Sequence, residues 1–353
     1  MPATHLRGHT PETLKGAFPG LPLSVARRVV HRVVGEDRDD LAGVPGLSKA
    51  LARELGERGR LDRLAVEDRR TSAVDPFVKY LFRGTDGRVF EAVRIPLDKP
   101  RFSVCVSSQV GCALGCTFCE TGRLGFERNL EAWEMVEQVL TVRRESRERP
   151  TTGVVFQGQG EPLQNYDNVM QAARVLRDPC GARVGADRIT ISTVGLLPQI
   201  ERYIEERQPY RLILSLTSAF SEKRERLVPV TARYGVPALA RAALRLAAAR
   251  AGPVQLAWVL IGGYNTGEDE ARELGRLFRG ARVRLSVIDV NDPEGRLPRA
   301  SDAERGRFFS ALAANGIGFV RRYSGGPDID AACGLLAARA RGGRALGPLA
   351  EAP

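Results

Sequence analysis

The sequence predicts an α/β protein built on a mostly parallel sheet or an open barrel. Three observations predict it. From Arg101 onward, short apolar runs rich in Val, Ile and Leu alternate with stretches of helical periodicity. Helix-length segments separate the strand candidates, the connection that parallel pairing requires. Hydrophobic residues make up 43% and charged residues 27% of the 353, a globular composition and not a fibrous or disordered one. That length leaves room for an enzyme core with an accessory domain.

Residues 1–70 read as a small helical accessory domain. Val25, Val29, Val30 and Val33 recur at helical spacing, as do Leu47, Leu51 and Leu55, and Gly43-Val44-Pro45-Gly46 makes a turn between the two runs. Such a pair resembles the helix pairs that grip phosphate backbones, with a plain scaffold role as the alternative. Residues 71–101 read as a β-hairpin extension turning at Thr85-Asp86-Gly87. Strands are then expected at 102–107, 153–157, 189–193, 211–216, 254–261, 283–290 and 317–322. Helices are expected at 132–145, 167–177, 236–250, 267–279 and 301–314. A C-terminal segment, 324–353, ends in a loose tail rich in Ala, Arg, Gly and Pro.

Charge and histidine content narrow the function. Lys and Arg number 53 against 42 Asp and Glu, a net charge of +11 that favours a polyanionic partner such as nucleic acid. A generic basic surface is the alternative. The three histidines, His5, His9 and His31, all lie near the start, so the rest of the chain works without imidazole. That argues against Ser-His-Asp chemistry and His-rich metal sites. No apolar run approaches the ~18 residues of a membrane span. Met1 to Leu23 lacks the apolar core of a signal peptide, and a cytoplasmic location is expected.

Of the six cysteines, Cys112, Cys116 and Cys119 fall in GCALGCTFCETG as C-x3-C-x2-C. Three thiolates on one short loop can hold three irons of a [4Fe–4S] cluster and leave the fourth open to substrate, whereas electron-transfer clusters take four Cys. Structural zinc and buried free thiols are the alternatives. Cys105, Cys180 and Cys333 complete the set.

C-x3-C-x2-C with an aromatic residue before its last Cys, here Phe118, resembles the signature of the radical S-adenosylmethionine (SAM) superfamily. The run CVSSQVGCALGCTFCETGRLGFERNL (105–130) is similar to the dual-function rRNA/tRNA adenine-C2 methyltransferases and their C8-methylating resistance relatives. The similarity continues through GQGEPLQNYDNV, ITISTVGLLP, LILSL and DIDAACGLL. It implies a partial (β/α)6 radical SAM barrel over 102–323, with SAM in the mouth at the strand C-termini.

The resemblance also implies roles. Cys112, Cys116 and Cys119 match the ligands of the cluster, whose open iron chelates SAM. Gly160 and Glu161 match the position that binds the SAM amino group, and Ser192, Ser215, Leu216, Thr217 and Asn291 match other SAM contacts. Cys333 matches the cysteine that one SAM methylates on sulfur; a second SAM then supplies a radical that abstracts hydrogen from that methyl group. The resulting methylene adds to an sp2 carbon of adenine, and Cys105 matches the cysteine that resolves the protein–RNA adduct by forming a disulfide. Adenine C2 is not nucleophilic, so polar methyl transfer would fail there, whereas a thiolate is a good acceptor for the first methyl. Glu91 matches an acidic residue acting as proton acceptor. A reductant such as flavodoxin or ferredoxin, an RNA substrate and a monomeric enzyme are implied.

The chain departs from that family pattern at Gln157 and Gln159, where Met is usual, and at Thr217, where His is usual. The expected function is methylation of an adenine carbon in rRNA or tRNA, C2 ahead of C8. The substitutions motivate an alternative, a radical SAM enzyme acting on a small molecule or peptide. The charge motivates another, a non-enzymatic nucleic-acid-binding protein with a structural metal. The arginines of the 143–149 stretch (Arg143, Arg144, Arg147 and Arg149) are candidate RNA contacts.

Overall fold

Ten strands form one sheet in which each strand pairs with its neighbours in sequence. The computed structural model describes residues 4–97, 101–146, 151–292, 295–322 and 325–329. Strands β1 (Ala65–Thr71), β2 (Val78–Arg83) and β3 (Val89–Pro96) form an antiparallel meander. Its second turn falls at the expected place, with Gly87 at φ +81°. β3 pairs antiparallel with β4 (Phe102–Val106). From β4 the sheet is parallel through β5 (Thr151–Phe156), β6 (Ile189–Thr193), β7 (Arg211–Ser215), β8 (Val254–Leu260), β9 (Val283–Asp289) and β10 (Gly318–Arg322). β1 and β10 are the two edges, so the barrel stays open. All seven expected strands form.

Three helices precede the sheet: α1 (Pro11–Ala17), α2 (Leu23–Val30) and α3 (Lys49–Arg58). Six crossovers follow, giving six βα units and a seventh parallel strand. They contain α4 (Ala132–Arg144), α5 (Tyr166–Arg177), α6 (Leu197–Glu205), the pair α7 (Ser221–Leu227) and α8 (Val236–Ala249), α9 (Glu268–Leu277) and α10 (Asp302–Ala314). Helices α6 and α7 were not in the expected set. α7 is the charged run SEKRERL with only Arg224 and Leu227 buried, so it carries little apolar periodicity to read.

Alternation along the strands separates core from site. In β8, Val254, Leu256, Trp258 and Leu260 are buried and pack with residues of α8, α9 and α10. The intervening Val259 faces the barrel mouth instead. The N-terminal helices share their core with the barrel: Leu14, Phe18, Val25, Val29 and Val33 belong to the same apolar cluster as Trp133, Val136 and Leu140 of α4.

Polar contacts reinforce that junction. Arg7 is fully buried, donates to the carbonyls of Leu61 (2.8 Å) and Arg38 (3.0 Å), and pairs with Asp39 and Glu137. Arg143 donates to the Ala182 carbonyl (3.2 Å), and Arg144 pairs with Asp37 (2.6 Å) and Glu137 (3.2 Å). Two of the expected RNA contacts are thus engaged inside the fold, because their carboxylate and carbonyl partners come from distant sequence. Arg147 and Arg149 lie outside the described residues. Among the described residues no helix is long and apolar enough to cross a membrane.

Candidate active site

After β4 the chain forms a short antiparallel ladder, Gln109–Gly111 against Phe126–Asn129, which pins both ends of the cysteine loop. Gly111 is required there: its φ is +73°, and a Cβ would sit 1.7 Å from the Gly125 carbonyl oxygen. Within the loop, the Cys112 N–H donates to Gly125 O (3.0 Å) and the Cys119 N–H to Cys116 O (3.1 Å). The Thr117 N–H donates to Leu227 O at the end of α7 (3.0 Å), fixing the loop to the opposite wall.

A cavity of about 340 Å³ opens at the strand C-termini. Cys112, Cys116 and Cys119 line it together with Cys105, Gly160, Glu161, Ser192, Ser215 and Asn291. Nine of the thirteen residues expected from sequence therefore meet in one place. Leu216 and Thr217 lie just beyond Ser215, fully buried and outside the lining; Thr217 has φ +62° and a buried Oγ1 with no hydrogen-bond partner among the described residues. Glu91 is buried on β3 and pairs with Lys79 of β2 at 3.0 Å. It is two residues from Val93, which does line the cavity, so both point to the same face of the strand. Cys333 lies outside the described residues, and Cys180 sits far along the chain in a loop after α5, half-buried.

The carboxylate of Glu161 is buried and accepts from two main-chain N–H groups, Leu163 (2.9 Å) and Val194 (3.0 Å). Burial raises its pKa, and these bonds oppose the rise. Gly160, at φ +98°, leaves no space for a side chain because a Cβ would meet Gln109 at 2.5 Å. Burial pushes the Cys112 thiol up to about 12 and the Cys116 thiol well above its ordinary value. Gln157 lines the cavity, while Gln159 is buried and its side-chain amide has no hydrogen-bond partner among the described residues.

These residues fit an iron–sulfur cluster with SAM beside it. Three thiols surround one cavity, and a metal bound there replaces thiol protons. Glu161, a buried carboxylate on the cavity wall without a cationic partner among the described residues, suits an ammonium group. Strand-end polar groups are where parallel α/β folds hold ligands.

Sequence reading missed the residues that tie these loops together. Gln109 accepts from the Glu161 N–H (2.8 Å) and donates to Asn129 (2.8 Å), joining the cysteine ladder to the Gly160–Glu161 turn. Asn165 donates to the carbonyls of Ser108 (2.8 Å) and Leu130 (2.7 Å). Arg296 bridges Glu120 (2.9 Å), next to Cys119, and Asp292 (2.8 Å), next to Asn291. Arg224 donates to three strand-end carbonyls. Single polar residues in loops carry no periodic signal, so none of these was readable in advance.

Comparison with known proteins agrees with this geometry. Residues 106–277 match the Radical SAM superfamily model. A probable RNA methyltransferase of Myxococcus xanthus is 42% identical over 94% of this chain and 94% of its own length. One from Anaeromyxobacter is 45% identical, covering 96% of this chain and 99% of its own. The dual-specificity RNA methyltransferase RlmN of Syntrophotalea carbinolica is 38% identical over 88% of this chain and 82% of its own. The crystal structure of a radical SAM methyltransferase from Sphaerobacter thermophilus is 38% identical and superposes with a TM-score of 0.86, covering 94% of this chain and 98% of that one. A likeness of this extent, joined to three loop cysteines around one cavity, establishes that the chain belongs to the radical SAM RNA methyltransferases, enzymes that use a [4Fe–4S] cluster and SAM.

Proposed function

We propose that this chain methylates an adenine carbon of RNA, C2 ahead of C8, through an S-methyl group carried on Cys333. The observation that carries the reading is the docking of the C-terminal segment beside Cys105. Asp328 accepts from the Ser72 hydroxyl (2.6 Å) and the Ala73 N–H (2.7 Å), and the Gly326 N–H donates to Asp75 (2.7 Å). Ile329 is buried in one apolar cluster with Phe77, Val93 and Cys105. Cys333 follows four residues later, so covalent geometry keeps it within about 14 Å of Ile329. That reach supports a shared cavity for the two cysteines.

Cys112, Cys116 and Cys119 would hold the cluster. Glu161 and the Gly160 backbone would hold the amino group of SAM, and Ser192, Ser215 and Asn291 its remaining polar groups. When bound, the cluster and SAM supply hydrogen-atom abstraction. The chain's own part is sulfur chemistry. Cys333 as thiolate accepts a methyl group from one SAM and presents it to a second. Once its methylene carbon is bonded to the base, Cys105 Sγ attacks Cys333 Sγ. The odd electron left by radical addition would pass back to the cluster, and the base carbon loses its proton to Glu91; as the Cys105–Cys333 disulfide forms, the bond from Cys333 to carbon breaks and that carbon takes up a proton to complete the methyl group. Lys79 pairs with Glu91 and fixes the position of its carboxylate. A flavodoxin- or ferredoxin-type donor supplies electrons, and the enzyme acts as a cytoplasmic monomer.

Peptide mass spectrometry on anaerobically purified, cluster-replete protein tests the reading. We expect a methyl group on Cys333 that disappears when Cys112, Cys116 and Cys119 are replaced by Ala, and loss of RNA methylation in Cys333→Ala. An unmodified Cys333, or a Cys333→Ala variant that still methylates RNA, overturns it.

A further inference from the structure

Arg224 is an arginine with no exposed surface, and among the described residues no carboxylate pairs with it. Its hydrogen bonds go to neutral groups. Nε donates to Leu216 O (2.8 Å), Nη1 to Thr231 Oγ1 (2.6 Å), and Nη2 to Ser215 O (3.0 Å) and Val194 O. Hydrogen bonds to carbonyls do not cancel a buried charge, and a charge left uncompensated in the interior is strongly disfavoured.

The packing places it beside the cysteine loop. Leu227 and Val228, one turn along from Arg224, share an apolar cluster with Cys116. The Thr117 N–H, next to Cys116, donates to Leu227 O. The Val194, Ser215 and Leu216 carbonyls lie at the ends of β6 and β7, behind the cavity wall that holds Ser192 and Ser215.

We propose that Arg224 is the counter-charge of the iron–sulfur cluster, a positioning residue whose buried guanidinium favours the more negative, reduced form. Three thiolates give the oxidised [4Fe–4S] core one net negative charge, and the single electron taken up on reduction adds another. A fixed positive charge in a dry interior stabilises the second state more than the first. The inference concerns the cluster alone and stands whether or not Cys333 carries a methyl group.

The test is a dithionite titration of the reconstituted holoprotein, followed by electron paramagnetic resonance, with iron and sulfide content measured alongside. Arg224→Gln removes the charge; Arg224→Lys keeps it and loses the fork. We expect the Gln variant to show a midpoint potential more negative than the parent, and the Lys variant to recover most of the difference. A Gln variant with full iron and the parent's potential overturns the proposal. So does a Lys variant as negative as Gln, which would leave Arg224 as a strand-end brace only. Should the Gln variant not fold, the Lys variant decides: the parent's iron content and potential support the counter-charge, loss of either refutes it, and failure of both variants to fold makes the residue purely structural and refutes it too.

Discussion

Glu161 combines a structural task with a charge on the cavity wall. Its two oxygens take the N–H groups of Leu163 and Val194, so it caps the turn after β5 and ties it to the end of β6. Its charge is the part those neutral donors leave unanswered. Glu161→Gln keeps an acceptor for one N–H and removes the charge. Hydrogen bonds to charged groups contribute about 1.5–3 kcal/mol, so SAM affinity should fall by roughly ten- to a hundredfold. Calorimetry on the cluster-replete protein reads this, and an unchanged Kd would place the SAM amino group elsewhere. Cys105 makes the complementary point. In sequence it sits in the apolar strand FSVCV, where a cysteine passes for core, yet its thiol faces the cavity.

At the scale of elements, the decisive contact joins two segments more than 250 positions apart. The β1–β2 turn presents Ser72, Ala73 and Asp75 to residues 326–328, and the Ser72 and Ala73 donors hold the Asp328 carboxyl below its usual range. The hairpin extension is therefore the dock for the C-terminal segment as well as an edge of the sheet. Asp328→Asn weakens that dock without touching the cavity. We expect RNA methylation to drop by about tenfold, the loss of one charge-assisted bond, while reductive SAM cleavage persists. Equal loss of both activities would show that the dock supports the whole site and not the C-terminal segment alone.

The whole molecule is held as one body by a buried polar junction. Arg7, Arg63 and Arg144 converge on Glu137 of α4, with Asp37 and Asp39 completing the network. Burial raises the pKa of Glu137, and the three guanidiniums counter that rise. Removing one partner from such a group leaves charge behind, at a cost of about 3 kcal/mol. Arg7→Met should lose about that much in urea unfolding. A change within experimental error would mean that Arg63 and Arg144 already neutralise Glu137 without help.

The parts determined by sequence are those with local causes. C-x3-C-x2-C is legible because its three cysteines lie within eight residues, and the seven parallel strands because apolar runs between helix-length segments repeat along the chain. Gly160-Glu161-Pro162 is legible because one turn carries both a forced backbone and a carboxylate. Tertiary structure decided the rest. Arg224 and Arg226 are indistinguishable in SEKRERL, yet only Arg224 is buried against three carbonyls, because the helix phase is set by Leu227 and by the cysteine loop packed on it. Arg143 and Arg144 look like an RNA-binding stripe until Asp37, more than a hundred positions earlier, arrives beside Arg144. Periodicity reports which face is buried; the partner a charge meets there depends on packing between distant segments, which no local pattern records.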